Sequence, residues 1–363
     1  MNILIPILGF DKTGGYRVLS RIATELTKKG CKVDFLVPDN SQEPYFPTEA
    51  GIIWTDATGK LLSERNKKKT NSGKGYFYIS KALTMALRKK FVKEYKVIIV
   101  NHSLTSYPII LAGLKKKVVY LAQAYEPEYY QLKGGLKNKL IMYLSMLSYK
   151  MGFFTIANSN LYLKYKWLNA HRIITPGLDL SVFKPNVSTT LQQPQVKKVI
   201  RIGTIGRVEP QKGTVFILEA FKQLSKSYEN IELHIAFSTE HDWGFIKNVF
   251  YSRPDGDDAL AEYYRGLDYY VCAGIAQFGA VHYPVIEAMA CGVPLISTPY
   301  YPLTEENGWL IEPSNSSSIV ETIKKAINNP ILTRKKTANA FESIQEFSWD
   351  IIANQMLEAL LHK

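Results

Sequence analysis

An arginine and a lysine five residues apart, each beside a glycine, could bind a diphosphate. Gly206-Arg207 and Lys212-Gly213 lie between a predicted strand at 199–205 and a predicted helix. Arg207 can bind phosphate oxygens as a fork with two parallel hydrogen bonds, and Lys212 can act as a point charge. The segment is not a Walker loop, because the pattern GxxxxGK[ST] is absent from it. The spacing therefore indicates a phosphate-binding loop of another kind.

A single carboxylate lies on an otherwise apolar helical stretch. The sequence YPVIEAMACGVP at 283–294 favours a short helix that contains Glu287 and ends at Cys291-Gly292. An ionised group on so apolar an element should be paired or should face a ligand, because burying it alone is costly. Glu287 is therefore a candidate binding residue. The alternative is an ordinary surface glutamate in the first helical turn, where the helix dipole stabilises it.

Two more glycines follow the first predicted strand. Gly14 and Gly15 lie between the apolar run at 3–8 and a helix with apolar residues at helical spacing. Glycines at this place let the backbone approach a ligand at a helix N-terminus, where free N–H groups favour anions. The pattern GxGxxG is absent, and a simple tight turn explains the pair equally well.

Two candidate catalytic residues follow later strands of the N-terminal half. His102 comes directly after the strand predicted at 97–100, and Glu126 lies in QAYEPEYY at 123–130, after the strand at 118–121. Open α/β sheets bind ligands beyond the carboxyl ends of their strands. Aromatic rings and carboxylates together suit a carbohydrate. The alternatives are a structural histidine and an ordinary loop acid.

The elements that must position these residues alternate between strand and helix in both halves of the chain. A chain of 363 residues is too long for one ordinary core, so two doubly wound α/β domains are expected. We predict an N-terminal domain at 1–185, a C-terminal domain at 186–345 and a separate helix at 346–363. The polar, proline-punctuated stretch at 184–197 is the predicted linker.

The charge of the chain points to an anionic partner. Lysines and arginines number 45 against 32 acids, which gives a formal net charge of +13. Nucleic acid, an acidic membrane surface and a phosphorylated ligand would each satisfy this excess. A basic loop at 60–75 could contact lipid headgroups or an anionic acceptor, or could simply be solvated. The apolar, basic stretch at 136–154 is expected to pack in the core, with a membrane-surface helix as the alternative.

The cysteines and the opening of the chain predict a cytoplasmic location. The three cysteines are far apart and form no CxxC motif, so neither a disulfide framework nor a metal knuckle is expected. The opening residues lack a basic n-region and favour a buried strand over a signal peptide. No apolar run reaches the roughly 18 residues that a spanning helix needs. Any membrane contact is therefore expected to be peripheral.

Five segments, taken in order, resemble motifs of the GT-B glycosyltransferases of family 4. The first of the five is the Gly14-Gly15 loop. A further stretch, VYLAQAYEPEYY at 119–130, is similar to WsaF-type bacterial polysaccharide rhamnosyltransferases. Ordered matches over nearly the whole chain are far more specific than any single one. The other four are TPGLDLSVFKP at 175–185, IGRVEPQKG at 205–213, VIEAMACGVPLIST at 285–298 and NGWLIEP at 307–313.

The resemblance implies a fold and a set of roles. It implies two Rossmann-like domains facing a central cleft, with the acceptor in the N-terminal domain, the donor in the C-terminal one, and the final helix packed back on the N-terminal domain. Gly206, Arg207 and Lys212 would hold the donor diphosphate, and Glu287 would bind the ribose. The donor sugar or its phosphates would face the backbone of His282, Tyr283 and Pro284. Gly14 and Gly15 would lie across the cleft.

One position departs from the family pattern. Many members carry two glutamates with seven residues between them, and the first would fall at Gly279, which has no carboxylate. Gln277 or His282 could replace its contacts with the donor sugar. Family members are generally retaining and need no metal ion.

The expected function is therefore a hexosyltransferase of class EC 2.4. It would move a hexosyl or deoxyhexosyl unit, rhamnosyl included, from a nucleotide diphosphate sugar to a growing, lipid-linked glycan such as a capsule or O-antigen. It would need no cofactor and would act at the inner face of the plasma membrane, in contact with anionic lipid. The alternatives are a GT-B sugar-nucleotide epimerase and a basic nucleic-acid-binding protein, although no nucleic-acid reader motif is present and nucleic acid is not an expected partner.

Overall fold

The computed structural model describes residues 1–65, 75–186 and 199–363. Most of the predicted basic loop at 60–75 and of the predicted linker at 184–197 lies outside these residues. The chain divides into two compact units. The first comprises Met1–Gly177 together with Trp349–Lys363, and the second comprises Leu178–Ser348.

The first unit is built on an eight-stranded sheet in the order β4-β3-β2-β1-β5-β6-β7-β8. Its strands run parallel except β4, which is antiparallel to β3. The central strands are continuous apolar runs, because helices cover a parallel sheet on both faces. The strands are β1 (Asn2–Pro6), β2 (Lys32–Pro38), β3 (Gly51–Thr55), β4 (Leu61–Leu62), β5 (Val97–Val100), β6 (Val118–Ala122), β7 (Phe154–Ala157) and β8 (Arg172–Ile173).

Strand β1 marks the point where the strand order reverses in this unit. Ile3 of β1 is in register with Val33 of β2 on one side and with Val97 of β5 on the other. Ligands of doubly wound sheets bind beyond the carboxyl ends of the strands at such a point. The helices of the unit are α1 (Gly14–Lys28), α2 (Tyr76–Leu87), α3 (Ser106–Leu111), α4 (Pro127–Lys133) and α5 (Gly135–Tyr149).

Helix α5 contradicts part of the expectation that the stretch at 136–154 packs in the core. Its fully buried positions are two serines, Ser145 and Ser148, whereas leucines such as Leu136 and Leu140 are exposed. The expectation holds near the end of the stretch, where Phe153 is buried in the core, and is wrong for the exposed leucines. Apolar composition alone does not show which face of a helix meets the sheet.

The second unit repeats the arrangement with a fully parallel six-stranded sheet in the order β11-β10-β9-β12-β13-β14. Its strand order reverses between β9 and β12, which are hydrogen-bonded neighbours. The strands are β9 (Ile200–Ile205), β10 (Ile231–Ala236), β11 (Val249–Ser252), β12 (Tyr269–Cys272), β13 (Leu295–Ser297) and β14 (Trp309–Leu310). The helices are α6 (Thr214–Leu224), α7 (Glu240–Trp243), α8 (Gly256–Arg265), α9 (Tyr283–Ala290), α10 (Ser316–Asn328) and α11 (Pro330–Ser343).

The boundary between the units differs from the predicted one. It falls at 177/178, whereas the sequence predicted 185/186. Leu178 and Phe183 are buried in the core of the second unit, and Leu178 N donates to Phe347 O at 2.7 Å. Phe347 fills the same core, so the second unit continues to Ser348 instead of ending at 345. These contacts join residues far apart in sequence, which composition does not reveal.

The last helix, α12 (Trp349–Leu361), belongs to the first unit. Its apolar face is buried, Trp349 and Met356 included, and Lys29 of α1 forms an ion pair of 2.7 Å with Asp350. The helix therefore joins the N-terminal unit by both apolar packing and charge. Within the described residues, no helix is both long and apolar enough to cross a membrane.

Candidate active site

The loop after β9 carries the predicted phosphate-binding residues and is held in place by its glycines. Gly206 N donates to Ala236 O at 2.8 Å. A Cβ at Gly206 would lie 2.3 Å from Ile235 Cγ2, so no larger residue fits there without movement. Arg207 N donates to Thr214 Oγ1 at 3.1 Å, which ties the loop to the start of α6. The backbone of Arg207 is thus fixed at the carboxyl end of β9.

The other end of this loop is fixed by the strand beyond the reversal point. Gly213 has a φ of +70°, and a Cβ there would lie only 1.8 Å from Ala273 O, just past the end of β12. Ile275 N donates to Gln211 O at 3.0 Å. Glycine is required at 213 both for its left-handed backbone and for this close approach. The loops that follow β9 and β12 therefore form one connected structure.

The two cations of the loop are available to a ligand. Arg207 and Lys212 are both exposed. Neither forms an ion pair with any residue in the described part of the chain. Because a held backbone presents these unpaired charges, the loop is suited to bind an anion.

His282 lies beside this loop and is held in its neutral form. Burial, and after it the charge of Lys212, lowers the pKa of His282 to about 3. Its ring stacks on Tyr300 at a centroid distance of 4.5 Å, and its Nδ1 lies 3.7 Å from Cys272 Sγ. His282 is also the residue that precedes α9. The structure therefore brings Lys212 and the N-terminus of α9, with Tyr283 and Pro284, to the same edge of the sheet.

Glu287 lies in the second turn of α9 and is buried, only 2% exposed. Its Oε2 accepts a hydrogen bond of 2.9 Å from the hydroxyl of Tyr264 on α8. Burial, followed by the charge of Glu287, raises the pKa of Tyr264 well above its usual value, so the phenol remains a donor. The alternative reading of Glu287 as a surface residue is wrong. The sequence pattern placed Tyr264 on the inner face of its helix but did not reveal its contact with Glu287, because that contact crosses between two helices.

The loop before α9 has a backbone suited to glycine at 279. Gly279 has a φ of +79°, and a Cβ there would meet nothing within 4 Å. Gln277 also has a positive φ, of 60°. The loop is anchored by Tyr300, whose hydroxyl donates to Ala276 O at 2.8 Å, and by Gly279 N, which donates to Pro299 O at 2.9 Å. The departure from the two-glutamate pattern thus coincides with a left-handed backbone.

In the first unit, Gly14 and Gly15 open helix α1 at the reversal point. Neither has a left-handed φ, and a Cβ at Gly14 would meet nothing within 4 Å. A turn that requires glycine therefore does not explain the pair. Because neither residue has a side chain, the backbone is accessible at the N-terminus of α1. Gly15 O accepts from Gln123 Nε2 at 3.1 Å, and this bond links the ends of β1 and β6.

Glu126 is buried, and its carboxylate is hydrogen-bonded within the unit. It accepts from Ser103 N at 2.9 Å, from the Tyr120 hydroxyl at 3.3 Å and from Ser145 Oγ at 3.4 Å. Ser103 begins the short 3-10 helix Ser103–Thr105 after β5. Glu126 therefore fixes this turn, and its oxygens are already engaged by donors of the protein.

His102 precedes that turn and is partly buried. Its Nδ1 accepts a hydrogen bond of 3.1 Å from Leu104 N. In the neutral ring the proton is then on Nε2, which can donate to a ligand. Tyr16, just after Gly15, was not singled out from the sequence. Burial, followed by the charges of Asp11 and Glu126, raises the pKa of the Tyr16 phenol.

The candidate residues therefore form two groups. Gly14, Gly15, His102 and Glu126 lie at the carboxyl ends of β1, β5 and β6 in the first unit. The residues predicted to bind the donor lie at the corresponding edge of the second unit; they are Gly206, Arg207, Lys212, His282, Tyr283, Pro284 and Glu287. A search of the described residues finds no group of three or more His, Cys, Asp or Glu side chains arranged to hold a metal ion.

Comparison with known proteins identifies the domain that carries the second group. Residues 189–343 match the family described as glycosyl transferases group 1. An uncharacterized glycosyltransferase of Haemophilus influenzae is 27% identical over 349 residues, which cover 90% of each chain. A D-inositol 3-phosphate glycosyltransferase of Rhodococcus opacus is 23% identical over 213 residues. That match covers 52% of this chain and 47% of the relative, so the chain spans about half the length of such relatives.

A solved structure shows the same fold. HepE of Anabaena, solved in complex with UDP, superimposes with a TM-score of 0.72 at 16% identity and covers 100% of both chains. The two-domain α/β architecture with parallel sheets is thus that of GT-B structures. Residues 189–343 thus match the group 1 glycosyl transferases, and the whole chain has the two-domain fold of GT-B structures.

Proposed function

We propose that the protein transfers a hexosyl or deoxyhexosyl unit, rhamnosyl included, from a nucleotide diphosphate sugar to a growing, lipid-linked surface glycan. The observation that supports this most is the exposed Arg207 and Lys212 on a fixed loop at the edge where α9 begins. Two unpaired cations on a rigid backbone suit a diphosphate better than an uncharged ligand.

In this proposal the second unit binds the donor. Arg207 and Lys212 hold the diphosphate and stabilise the negative charge that grows on it as the sugar departs, so the reaction needs no metal ion. Glu287 accepts hydrogen bonds from the ribose hydroxyls, and Tyr264 orients its carboxylate from the other side. The backbone at His282, Tyr283 and Pro284 faces the sugar and phosphates. The donor-sugar contact that family members make with their first glutamate would come from Gln277 or His282.

The first unit binds the acceptor in this proposal. His102 offers an Nε2 proton for a hydrogen bond to a sugar hydroxyl, and the open Gly14-Gly15 backbone admits an anionic group. The hydrogen bonds of Glu126 suit a positioning residue that holds the turn beside His102. Transfer would retain the configuration of the donor sugar, with its leaving phosphate accepting the acceptor proton. The reaction would take place at the inner face of the plasma membrane.

Thermal unfolding with UDP, GDP and dTDP in turn tests the donor site. A nucleotide at about 100 times its dissociation constant adds about 2.7 kcal/mol to the folded state. We expect one nucleotide to raise the unfolding temperature of the wild type and to lose this effect in Arg207→Ala. Arg201→Ala is the matched control, because Arg201 is an exposed arginine of the same unit on β9. The donor site is refuted if no nucleotide stabilises the wild type, or if Arg207→Ala responds as Arg201→Ala does.

A further inference from the structure

Helix α5 has an inverted distribution of polar and apolar side chains. Its fully buried residues are serines, and four of its large apolar residues are exposed. Exposed apolar patches of this kind mark surfaces that bind a partner or a membrane. The exposed residues, with their exposed fractions, are Leu136 (87%), Leu140 (62%), Tyr143 (59%) and Leu147 (49%).

These four residues, here named the α5 stripe, share one face of the helix. They are separated by four, three and four positions, which is the spacing of neighbours along a helix. From first to last they span about 16 Å at the usual helical rise. The α5 stripe is therefore a continuous apolar ridge on the surface of the first unit.

All charged residues of the segment that carries the α5 stripe are positive. The segment 133–150 contains four lysines and no acidic residue. An apolar face flanked by lysines is the pattern of a helix that lies in the headgroup region of an anionic bilayer. The four lysines, Lys133, Lys137, Lys139 and Lys150, are all exposed.

We propose that the α5 stripe docks the protein on an anionic phospholipid bilayer. This inference rests on the proposed function, because a lipid-linked acceptor lies in such a bilayer. A second copy of the chain fits this face less well. A two-fold interface places a patch against itself, so the lysines beside the stripe would face each other in a protein of net charge +13.

The buried face of α5 connects this surface to the acceptor residues. Ser145 Oγ donates to Ser103 Oγ at 2.8 Å and lies 3.4 Å from Glu126 Oε2. Ser103 follows His102 directly. The helix that meets the bilayer on one face is therefore hydrogen-bonded on its other face to the turn proposed to meet the acceptor.

Co-sedimentation with vesicles tests the proposal. The full chain is mixed with phosphatidylcholine vesicles that contain either no anionic lipid or about 30% phosphatidylglycerol. We expect binding to the anionic vesicles alone, weaker at high salt. The triple variant Leu136→Gln/Leu140→Gln/Leu147→Gln should lower the partition coefficient at least about tenfold, because three buried leucines are lost. Lys137→Gln/Lys139→Gln should weaken binding and reduce its dependence on salt.

A control variant and a second measurement decide among the outcomes. Ile331→Gln/Leu332→Gln changes two exposed apolar residues on α11 of the other unit and should bind vesicles as the wild type does. The proposal is overturned if the wild type does not bind anionic vesicles, or if the triple variant binds as well as the wild type. It is also overturned if sedimentation shows a wild-type dimer that the triple variant abolishes without any vesicle binding.

The nucleotide response separates this inference from the proposed function. The triple variant should show the same thermal stabilisation by nucleotide as the wild type, because α5 lies outside the donor-binding unit. If nucleotide stabilises the triple variant normally and its vesicle binding equals that of the wild type, only the docking surface is refuted. Stripe-dependent vesicle binding without any nucleotide response would refute the donor site and leave the docking surface standing.

Discussion

Glu287 and Tyr264 show how a buried charge is tolerated in the second unit. The carboxylate lies among apolar residues of the core and accepts the Tyr264 hydroxyl at 2.9 Å. Removing the donor of a buried acceptor lowers the free energy of unfolding by more than the net contribution of the hydrogen bond, because the desolvation of the acceptor is then no longer offset. The pair thus combines stability with the orientation of a proposed ribose-binding group.

Removing the donor should destabilise the protein. We expect Tyr264→Phe to lower the free energy of unfolding by about 1–3 kcal/mol, because one hydrogen bond to the buried carboxylate is lost. Urea unfolding followed by circular dichroism measures the change. Tyr301→Phe is the control, because Tyr301 is exposed and should tolerate the same substitution. If both variants were equally stable, this would contradict a buried Glu287 carboxylate that accepts a hydrogen bond from Tyr264.

The depressed pKa of His282 predicts a loss of stability in acid. Above the unfolded-state pKa of about 6.5, His282 is neutral in both states and contributes no pH dependence. Below it, the unfolded chain binds a proton that the native protein, with its His282 pKa of about 3, does not bind. Stability therefore falls by up to about 1.4 kcal/mol per pH unit between these values.

A variant isolates this contribution. When the pH is lowered from 7 to 5, the wild type should lose up to about 2 kcal/mol more unfolding free energy than His282→Gln loses. Urea unfolding at both pH values gives the two differences. The same fall in both proteins would show that His282 titrates normally.

At the scale of elements, the loops after β9 and β12 fit together through Gly213. A Cβ at this position would meet the backbone oxygen of Ala273 at 1.8 Å, which is not a contact that a flexible side chain can relieve. The left-handed φ adds strain to any substitution. The proposed phosphate-binding loop is therefore positioned by backbone packing as well as by hydrogen bonds.

Gly213→Ala should disturb that loop. We expect it to lower the unfolding free energy by about 2–4 kcal/mol, through steric overlap and strain, and to weaken nucleotide binding. Gly266→Ala is the matched control in the same unit, because a Cβ there would come no closer than 3.4 Å to any atom and its backbone is not left-handed. Thermal unfolding with and without nucleotide measures both effects. A Gly213→Ala protein as stable as the control would contradict the close approach.

Sequence reasoning succeeded where local patterns determine the element. The apolar runs around Ile3 and Val97 became buried central strands, and the helix of Glu287 ended at Ala290 before Cys291-Gly292, as predicted. It failed for α5, because the face that meets the sheet is set by Ser145 and its distant partners. Such partners lie tens of residues away, so no local periodicity reveals them.

At the scale of the whole molecule, each unit has its own sheet with its own reversal point. Both place candidate residues at the carboxyl ends of strands at or near that point, where doubly wound sheets bind ligands. The boundary at Gly177/Leu178 could not be predicted from composition, because Leu178 and Phe183 belong to the second core through contacts with distant residues. The net charge of +13 and the alternative of a membrane-surface helix at 136–154 were visible in the sequence, but the residues that form the exposed α5 stripe were not.

Transfer of labelled sugar is the measurement that tests the central claim most directly. The protein is incubated with radiolabelled UDP-, GDP- and dTDP-sugars and bacterial membranes that contain lipid-linked glycans. We expect one donor to release its nucleoside diphosphate and to label the lipid-extractable glycan, with the donor configuration retained and activity lost in Arg207→Ala. Conversion of a nucleotide sugar without any acceptor would indicate an epimerase instead. Absence of transfer from every donor, or full activity in Arg207→Ala, would contradict the proposed site.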